Sequence, residues 1–501
     1  MNAPRAGKAA RLITAPGLLL GTWCVLVAAL FVVRHLHPPL RPTATPSEID
    51  PASTIGATQA QRILIALVVA VLLAGVWVVS ERSKLPTPVV ASRTVGWRLS
   101  IAATALGVSV LVFLMFFQPL PNDLGCSSSM LVRLNPHMGF IWSCDSWLFQ
   151  DAAKNPSLLL HQAFPRQDRP VYTILGSGML YTIGQVVGWL GFDGSYQGID
   201  IQALVSLDLL NVLVLMAAAV LLVRQLLAMG TPIALTAALA TPLVLNDVTT
   251  QFTFTPHQQT FAMLVPVVTV LMTRRTLLDP PRWHMACWWG LALGVGALAY
   301  GSFVLTVPVV VVALCVKLGL KAAPAAGAFV AGFAAPQIGW IALCRLVVGS
   351  YYNHEVTAYR QFVWVLDSLR RGPGDLWRRS ASYLLLTLQE IIGTRELWVA
   401  GAVIGLGIVL AVLRRIDLTP GTADDRATLS AVAWTAVVTV LFLWGIGYYT
   451  DRLSTTLLPL LLIVAGWVYS RLAGDLRGWT RRLVSLVAAA AVLGWLAFIL
   501  T

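Results

Sequence analysis

Apolar runs of roughly 17–25 residues recur along this chain, separated by short polar segments, with no residue-by-residue alternation inside them. A helix rising about 1.5 Å per residue crosses a hydrocarbon core about 30 Å thick in one such run and satisfies its own backbone; barrel strands would alternate with a period of two. The pattern predicts spans near 16–34, 61–80, 99–118, 202–223, 230–246, 259–273, 284–300, 303–319, 323–344, 398–413, 429–447, 453–470 and 483–500. The expected fold is an all-α polytopic membrane protein of about 13 transmembrane helices with amphipathic juxtamembrane helices on its outer face.

Basic residues between the runs set the orientation. Arg5, Lys8 and Arg11 put the N-terminus inside, and Arg82, Lys84, Arg93 and Arg98 mark an inside loop. Arg274, Arg275 and Arg282, then Lys317 and Lys321, Arg414 and Arg415, and Arg471, Arg477, Arg481 and Arg482 fall on the same side. The basic head and long apolar run at the N-terminus read as an uncleaved first span rather than a signal peptide. Val171 to Phe192 is apolar enough to cross, yet a crossing there would turn every later basic cluster outward. It is expected to be an amphipathic or re-entrant outer-leaflet helix, polar along Thr173, Ser177 and Gln185; a true span offset by another elsewhere is the alternative.

This threading divides the chain into a two-span extension (1–98), a membrane core (99–470) and a C-terminal span (471–501). The core carries an external loop at 119–201 and an outer segment at 349–397. No internal repeat or soluble domain stands out.

Composition agrees. A chain of 501 residues that is 57% hydrophobic and 11% charged, with mean hydropathy +0.76, is too apolar for a soluble globular protein. Its net charge of +13 would suit a nucleic-acid partner, but the cations sit in short clusters between spans, so topology explains them and no nucleic acid is expected. Of six cysteines, Cys126 and Cys144 lie in the external loop, where a disulfide is expected and two unpaired thiols are the alternative.

The polar residues without a topological role gather on the outer face. Asp145, Asp151, Arg166, Asp168 and Arg169 come from "WSCDSWLFQDAAKNPSLLLHQAFPRQDRP"; Asp247 and His257, His354 and Glu355, and Asp451 and Arg452 come from later loops. A carboxylate among arginines suits one reaction type, in which the acid deprotonates an incoming hydroxyl while the cations stabilise a departing phosphate. Each residue also has a plain structural use. Asp145 can cap a short helix ending at Asn155-Pro156, Asp151 can face solvent or pair with Lys154, Arg169 can anchor to headgroups, and His257 can cap the 259–273 helix. Arg370, Arg371, Arg378 and Arg379 break the positive-inside rule, either to hold lipid phosphates or to snorkel from an interfacial helix, and a separate outer amphipathic helix is expected at 356–371. No CxxC, HExxH, GxxxxGK[ST] or GxSxG motif is present, so a cytosolic nucleotide is not expected as donor. A divalent cation on Asp145 with Asp151 or Asp247 is the only cofactor left open.

This plan resembles the GT-C superfamily of membrane glycosyltransferases, which take sugars from polyprenyl-phosphate donors. The resemblance rests on "SCDSWLFQDAA" in an early external loop, on "RQDRPVYTILG" leading back to the membrane, and on "YYTDRLSTTLLPLLLIVAGW" as a late Arg-then-Leu/Pro span. It implies that Asp145 is the catalytic base of an inverting transfer, with Asp151 as the second candidate. It also implies that Arg169 and Arg452, with His257 and Arg166, hold the donor phosphate. The family often shows two adjacent acids, whereas Asp145 is followed by Ser146. The acceptor would be a glycan, lipid or protein of the cell envelope, reached at the extracytoplasmic face of the plasma (inner) membrane, with membrane lipids as partners. Ala-, Val-, Arg- and Trp-rich usage suits a GC-rich genome and suggests arabinofuranosyl or mannosyl transfer. The alternative is a transporter or flippase of lipid-linked glycans, for which Asp208 and Asn211 inside a span are the best support.

Overall fold

The computed structural model describes residues 130–135, 138–142, 145–189, 194–196, 198–447, 451–475 and 495. The expected spans 16–34, 61–80 and 99–118, all of 483–500 but Trp495, and the Cys126–Cys144 pair lie outside them.

The described chain is mostly helical. It opens with β1 (Met130–Asn135) and β2 (Met138–Trp142), an antiparallel hairpin, followed by α1 (Ser146–Lys154) and α2 (Pro170–Trp189). A two-residue pairing of β3 (Ser195–Tyr196) with β4 (Ile199–Asp200) leads into α3 (Ile201–Ala228). Then come α4 (Ile233–Val244), α5 (Asp247–Phe252), α6 (Phe261–Leu278), α7 (Trp283–Ala299), α8 (Thr306–Leu318) and α9 (Ala323–Val348). The outer segment holds α10 (His354–Thr357), α11 (Val363–Arg371) and α12 (Pro373–Gly393), and the chain returns through α13 (Arg395–Leu413), α14 (Ala423–Ile446) and α15 (Leu458–Asp475). The external loop is therefore not purely helical. "MLVRLN" and "MGFIW" are short, largely apolar runs only two residues apart in sequence, which favours a hairpin.

Among the described residues six stretches are long and apolar enough to cross a membrane: Ile201–Ala228, Gln258–Leu278, Gly301–Val348, Arg395–Leu413, Ala423–Ile446 and Arg452–Leu472. The third is two helices, because the chain turns between α8 and α9 at Gly319, whose φ of 58° an L side chain rarely adopts. Contacts at a constant sequence offset then give directions. On α7 and α9, Gly290 meets Phe329 and Gly294 meets Phe333, so the two run parallel with α8 descending between them. A Cβ on Gly290 or Gly294 would fall 2.1 or 2.3 Å from a backbone oxygen of α9, so this GxxxG pair is what lets the backbones touch.

Ion pairs of Arg274 with Asp424 and of Arg471 with Asp425 join the ends of α6, α14 and α15. The other end gathers residues near 145–169, 257–260, 300, 352–364, 445–447 and 451–454, through bonds such as Gln259 Nε2 to Tyr300 Oη (3.2 Å) and Trp364 Nε1 to the Gly445 carbonyl (2.9 Å). Arg274 and Arg471 thus lie at the end of the bundle opposite the acid-and-arginine residues.

Two expectations need correction. On α2, Thr173 and Ser177 are buried while Gln185 is exposed, as are Ile174, Leu175, Val186 and Trp189, so the first two positions of the polar line face protein and the third does not. Tyr172 bonds Asn211 and Gly176 abuts Leu207, so α2 runs antiparallel to the first half of α3 and stays at the site's end. The outer helix expected at 356–371 is broken: Arg360 and Phe362 take positive φ (52° and 61°), and the long amphipathic helix here is α12. The outer arginines also have local reasons. Arg378 and Arg379 pair with Asp375 at 2.9 and 3.1 Å, and Arg370 and Arg371 end α11, where the helix dipole favours cations.

Candidate functional site

Asp145 stands at the N-cap position of α1 but does not act as a cap. Its backbone is already helical (φ −79°, ψ −18°) and its side chain accepts no bond from the first turn. The carboxylate is spent elsewhere, on Arg166 and on His257 Nε2 at 3.3 Å. Arg166 returns to Asp145 after the 3₁₀ turn Pro156–Leu160, fully buried, with its guanidinium 5.2 Å from the Phe149 ring centroid.

His257 does cap, as expected, though it caps the 3₁₀ turn Gln258–Thr260 that feeds α6. Its Nδ1 accepts the Gln259 N–H at 3.2 Å. That bond assigns the proton of the neutral ring to Nε2, which donates to Asp145. Phe252 and Phe149 flank the imidazole at 5.0 and 5.9 Å. Burial drives the His257 pKa down, and the Asp145 carboxylate only partly opposes it, so the ring is neutral at pH 7. For Asp145 burial acts to raise the pKa, yet the His257 hydrogen bond and the Arg166 charge outweigh it and hold the acid well below the usual carboxylate range.

Two further arginines close on this pair. Arg452 lies 5.2 Å from the Phe252 ring centroid, and its charge bears on both His257 and Tyr300. Arg169 donates from Nη2 to Glu355 Oε1 at 3.3 Å, and Glu355 Oε2 accepts from Gln361 at 2.6 Å. Gly301 sits against the Arg169 guanidinium, so closely that a Cβ there would lie 3.1 Å from Nη1. The loop that carries these arginines is pinned by Gln167. Its Nε2 donates to the Leu159 carbonyl (3.0 Å), its Oε1 accepts from the Tyr352 N–H (2.6 Å), and its carbonyl accepts from Trp340 Nε1 (2.7 Å).

The structure therefore brings together Asp145, Arg166, His257, Arg169 and Arg452. It leaves out Asp151, which is exposed on α1, and Lys154 pairs with Asp200 at 2.9 Å instead of Asp151. Asp247 is engaged with Glu396, whose Oε1 accepts its N–H at 3.1 Å. Among the described residues no group of three His, Cys, Asp or Glu could hold a metal ion, so the divalent cation on Asp145 with Asp151 or Asp247 has no ligand set. Gln167, Tyr300, Trp340 and Tyr351 escaped the sequence reading because none is charged. For Gln167, Tyr300 and Tyr351 the one signal is position, near helix ends in "RQDRP", "AYGSF" and "GSYYNHE", while Trp340 lies inside α9 and carries none. Comparison with protein-family models, with characterised proteins and with solved structures finds no match to this chain.

Proposed function

We propose that this chain is an inverting membrane glycosyltransferase of the GT-C type, moving a sugar from a polyprenyl-phosphate donor to a cell-envelope acceptor at the extracytoplasmic face. The observation that carries the reading is a carboxylate held between a buried arginine and a neutral histidine, with two more arginines beside it, opposite the basic end of the bundle. Charge of this kind at the boundary of an apolar bundle is costly and favours function over scaffold.

The arrangement suits phosphate departure. Arg166, Arg169 and Arg452 supply cationic donors for an anion, and His257 Nε2–H supplies a neutral one. In the transfer, the acceptor hydroxyl oxygen bonds to the anomeric carbon as the bond from that carbon to the phosphate oxygen breaks. The phosphate leaves with the bonding electrons, and Asp145 takes the hydroxyl proton. In the empty site Asp145 is a weak base, because Arg166 and His257 stabilise its anion. A donor phosphate that draws these two groups to itself raises the basicity of Asp145, so the base is strengthened only when the donor is in place.

The test incubates purified protein with polyprenyl-phosphate mannose or arabinofuranose and a lipid-extract acceptor. Asp145→Asn is expected to lower transfer by about 10²–10⁴-fold with the fold intact. An unchanged rate removes Asp145 from the chemistry. Carriage of a lipid-linked glycan remains the second reading, because Asp208 on α3 is buried with both carboxylate oxygens lacking a hydrogen-bond partner among the described residues. Vesicles that move the lipid across the bilayer without consuming donor would favour it.

A further inference from the structure

Asp168 is 3% exposed, and neither carboxylate oxygen has a hydrogen-bond partner among the described residues. A buried carboxylate with empty lone pairs destabilises a fold, and such groups persist where something else completes them. The Arg169 charge lies close enough to act on this carboxylate, but neither neighbouring arginine gives it a hydrogen bond. Arg166 is turned to Asp145, and Arg169 gives Nη2 to Glu355. The turn itself explains the splay: the Arg169 N–H bonds the Arg166 carbonyl at 3.0 Å, so consecutive side chains diverge, and the Gln167 bonds hold the backbone there. Asp168 belongs to the same group of charges as the site, since the charges of Arg166, Asp168, Glu355 and Asp145 all act on His354. Tyr351 is also within reach, its hydroxyl pushed up to about 12 by burial and by the Asp168 charge, so it stays protonated.

We propose that Asp168 reads the sugar of the bound donor, its two oxygens accepting hydrogen bonds from two hydroxyls of the ring while the arginines beside it hold the phosphate. This rests on the glycosyltransferase reading above. Hydroxyls fit better than a cation or an amine for a simple reason. Arg166, Arg169 and Arg452 would repel a positive ligand, whereas a neutral pair of O–H donors satisfies the carboxylate without competing with the phosphate for the guanidinium groups.

The test uses the full-length protein in detergent, comparing wild type with Asp168→Asn and Asp168→Ala. One measurement is thermal: removing an unpaired buried charge should raise the melting temperature of the empty protein, as at sites kept for function at the expense of stability. The second is equilibrium binding of undecaprenyl phosphate, undecaprenyl-phosphate mannose and decaprenyl-phosphate arabinofuranose. Wild type should prefer one glycosylated lipid over bare undecaprenyl phosphate, and both variants should lose that preference by tenfold or more. A fall in melting temperature for Asp168→Asn would show an ordinary structural carboxylate and overturn the assignment. So would a melting temperature raised by calcium or manganese in wild type alone, which would mark a cation site. A preference retained in the variants sinks the assignment and leaves the donor reading standing. Wild-type protein that binds none of the three lipids sinks both.

Discussion

Replacing Asp145 by asparagine should separate holding a phosphate from moving a sugar. In the empty site the carboxylate occupies the two donors that a phosphate would need, Arg166 and His257 Nε2. Asparagine keeps the shape but surrenders the charge, so the donors are released for an incoming anion. A hydrogen bond to a charged group contributes about 1.5–3 kcal/mol net. The Asp145 side chain is 22% exposed, so solvent screening argues for the lower end. About 1.5 kcal/mol corresponds to roughly a tenfold gain in affinity. Undecaprenyl phosphate should therefore bind Asp145→Asn about ten times more tightly than wild type while transfer falls by about 10²–10⁴-fold. Binding is measured at equilibrium with protein in lipid nanodiscs, and transfer in a single turnover with excess enzyme. If the variant binds the lipid phosphate more weakly, the carboxylate does not compete with it, and the donor-strengthened base is wrong.

Three other outcomes follow from the same geometry. Gly301→Ala places a methyl 3.1 Å from Arg169 Nη1, which the flexible side chain can partly evade; donor KM should rise several-fold with kcat and melting temperature nearly unchanged, and an unchanged KM would take Arg169 away from the donor. The His257 pKa is depressed by burial, so its contribution to stability is complete above the unfolded value of about 6.5 and is lost as pH falls below it. Wild-type melting temperature should drop between pH 7 and 5 and His257→Gln should flatten that drop; the Asp145 contribution, its pKa also depressed, goes only below about pH 4. Gly290→Leu forces apart backbones that touch on α7 and α9 and should destabilise by about 1–3 kcal/mol or more, read as a lower melting temperature; a neutral result would mean the helices separate at no cost.

The helical frame was legible because lipid leaves so few options. An apolar run must satisfy its own backbone, so every expected span from 202–223 to 453–470 has a helix over it. Boundaries moved where a local rule took over, as at Gly319, where one apolar stretch becomes two helices. Amphipathic elements were harder to read. Polarity along α2 suggests water, yet Thr173 and Ser177 turn inward while Gln185 stays exposed: the Thr173 hydroxyl donates to the Arg169 carbonyl at 3.2 Å. At α12, "PGDLWRRSASYLLLTLQEIIG" carries too much charge to register as a span, although its apolar positions follow a helical period.

The site was legible in kind but not in arrangement, and the reason lies in Asp145. Sequence offers an N-cap and a base as uses of the same residue, and local rules favour the cap, since a short polar side chain before "SWLFQ" is what a helix start asks for. Whether the cap forms depends on partners 21 and 112 residues away, Arg166 and His257, which no local rule connects to it. Those partners outbid a backbone N–H because a charge-assisted bond is roughly twice as strong as a neutral one, and the first turn of α1 is left without its side-chain cap. A helix that forgoes a cap worth about 1 kcal/mol to keep a carboxylate between an arginine and a histidine has given up local stability for a polar cluster. That exchange is expected at a site shaped by its ligand, since an optimised fold would have let Asp145 cap α1 and put a neutral side chain opposite His257.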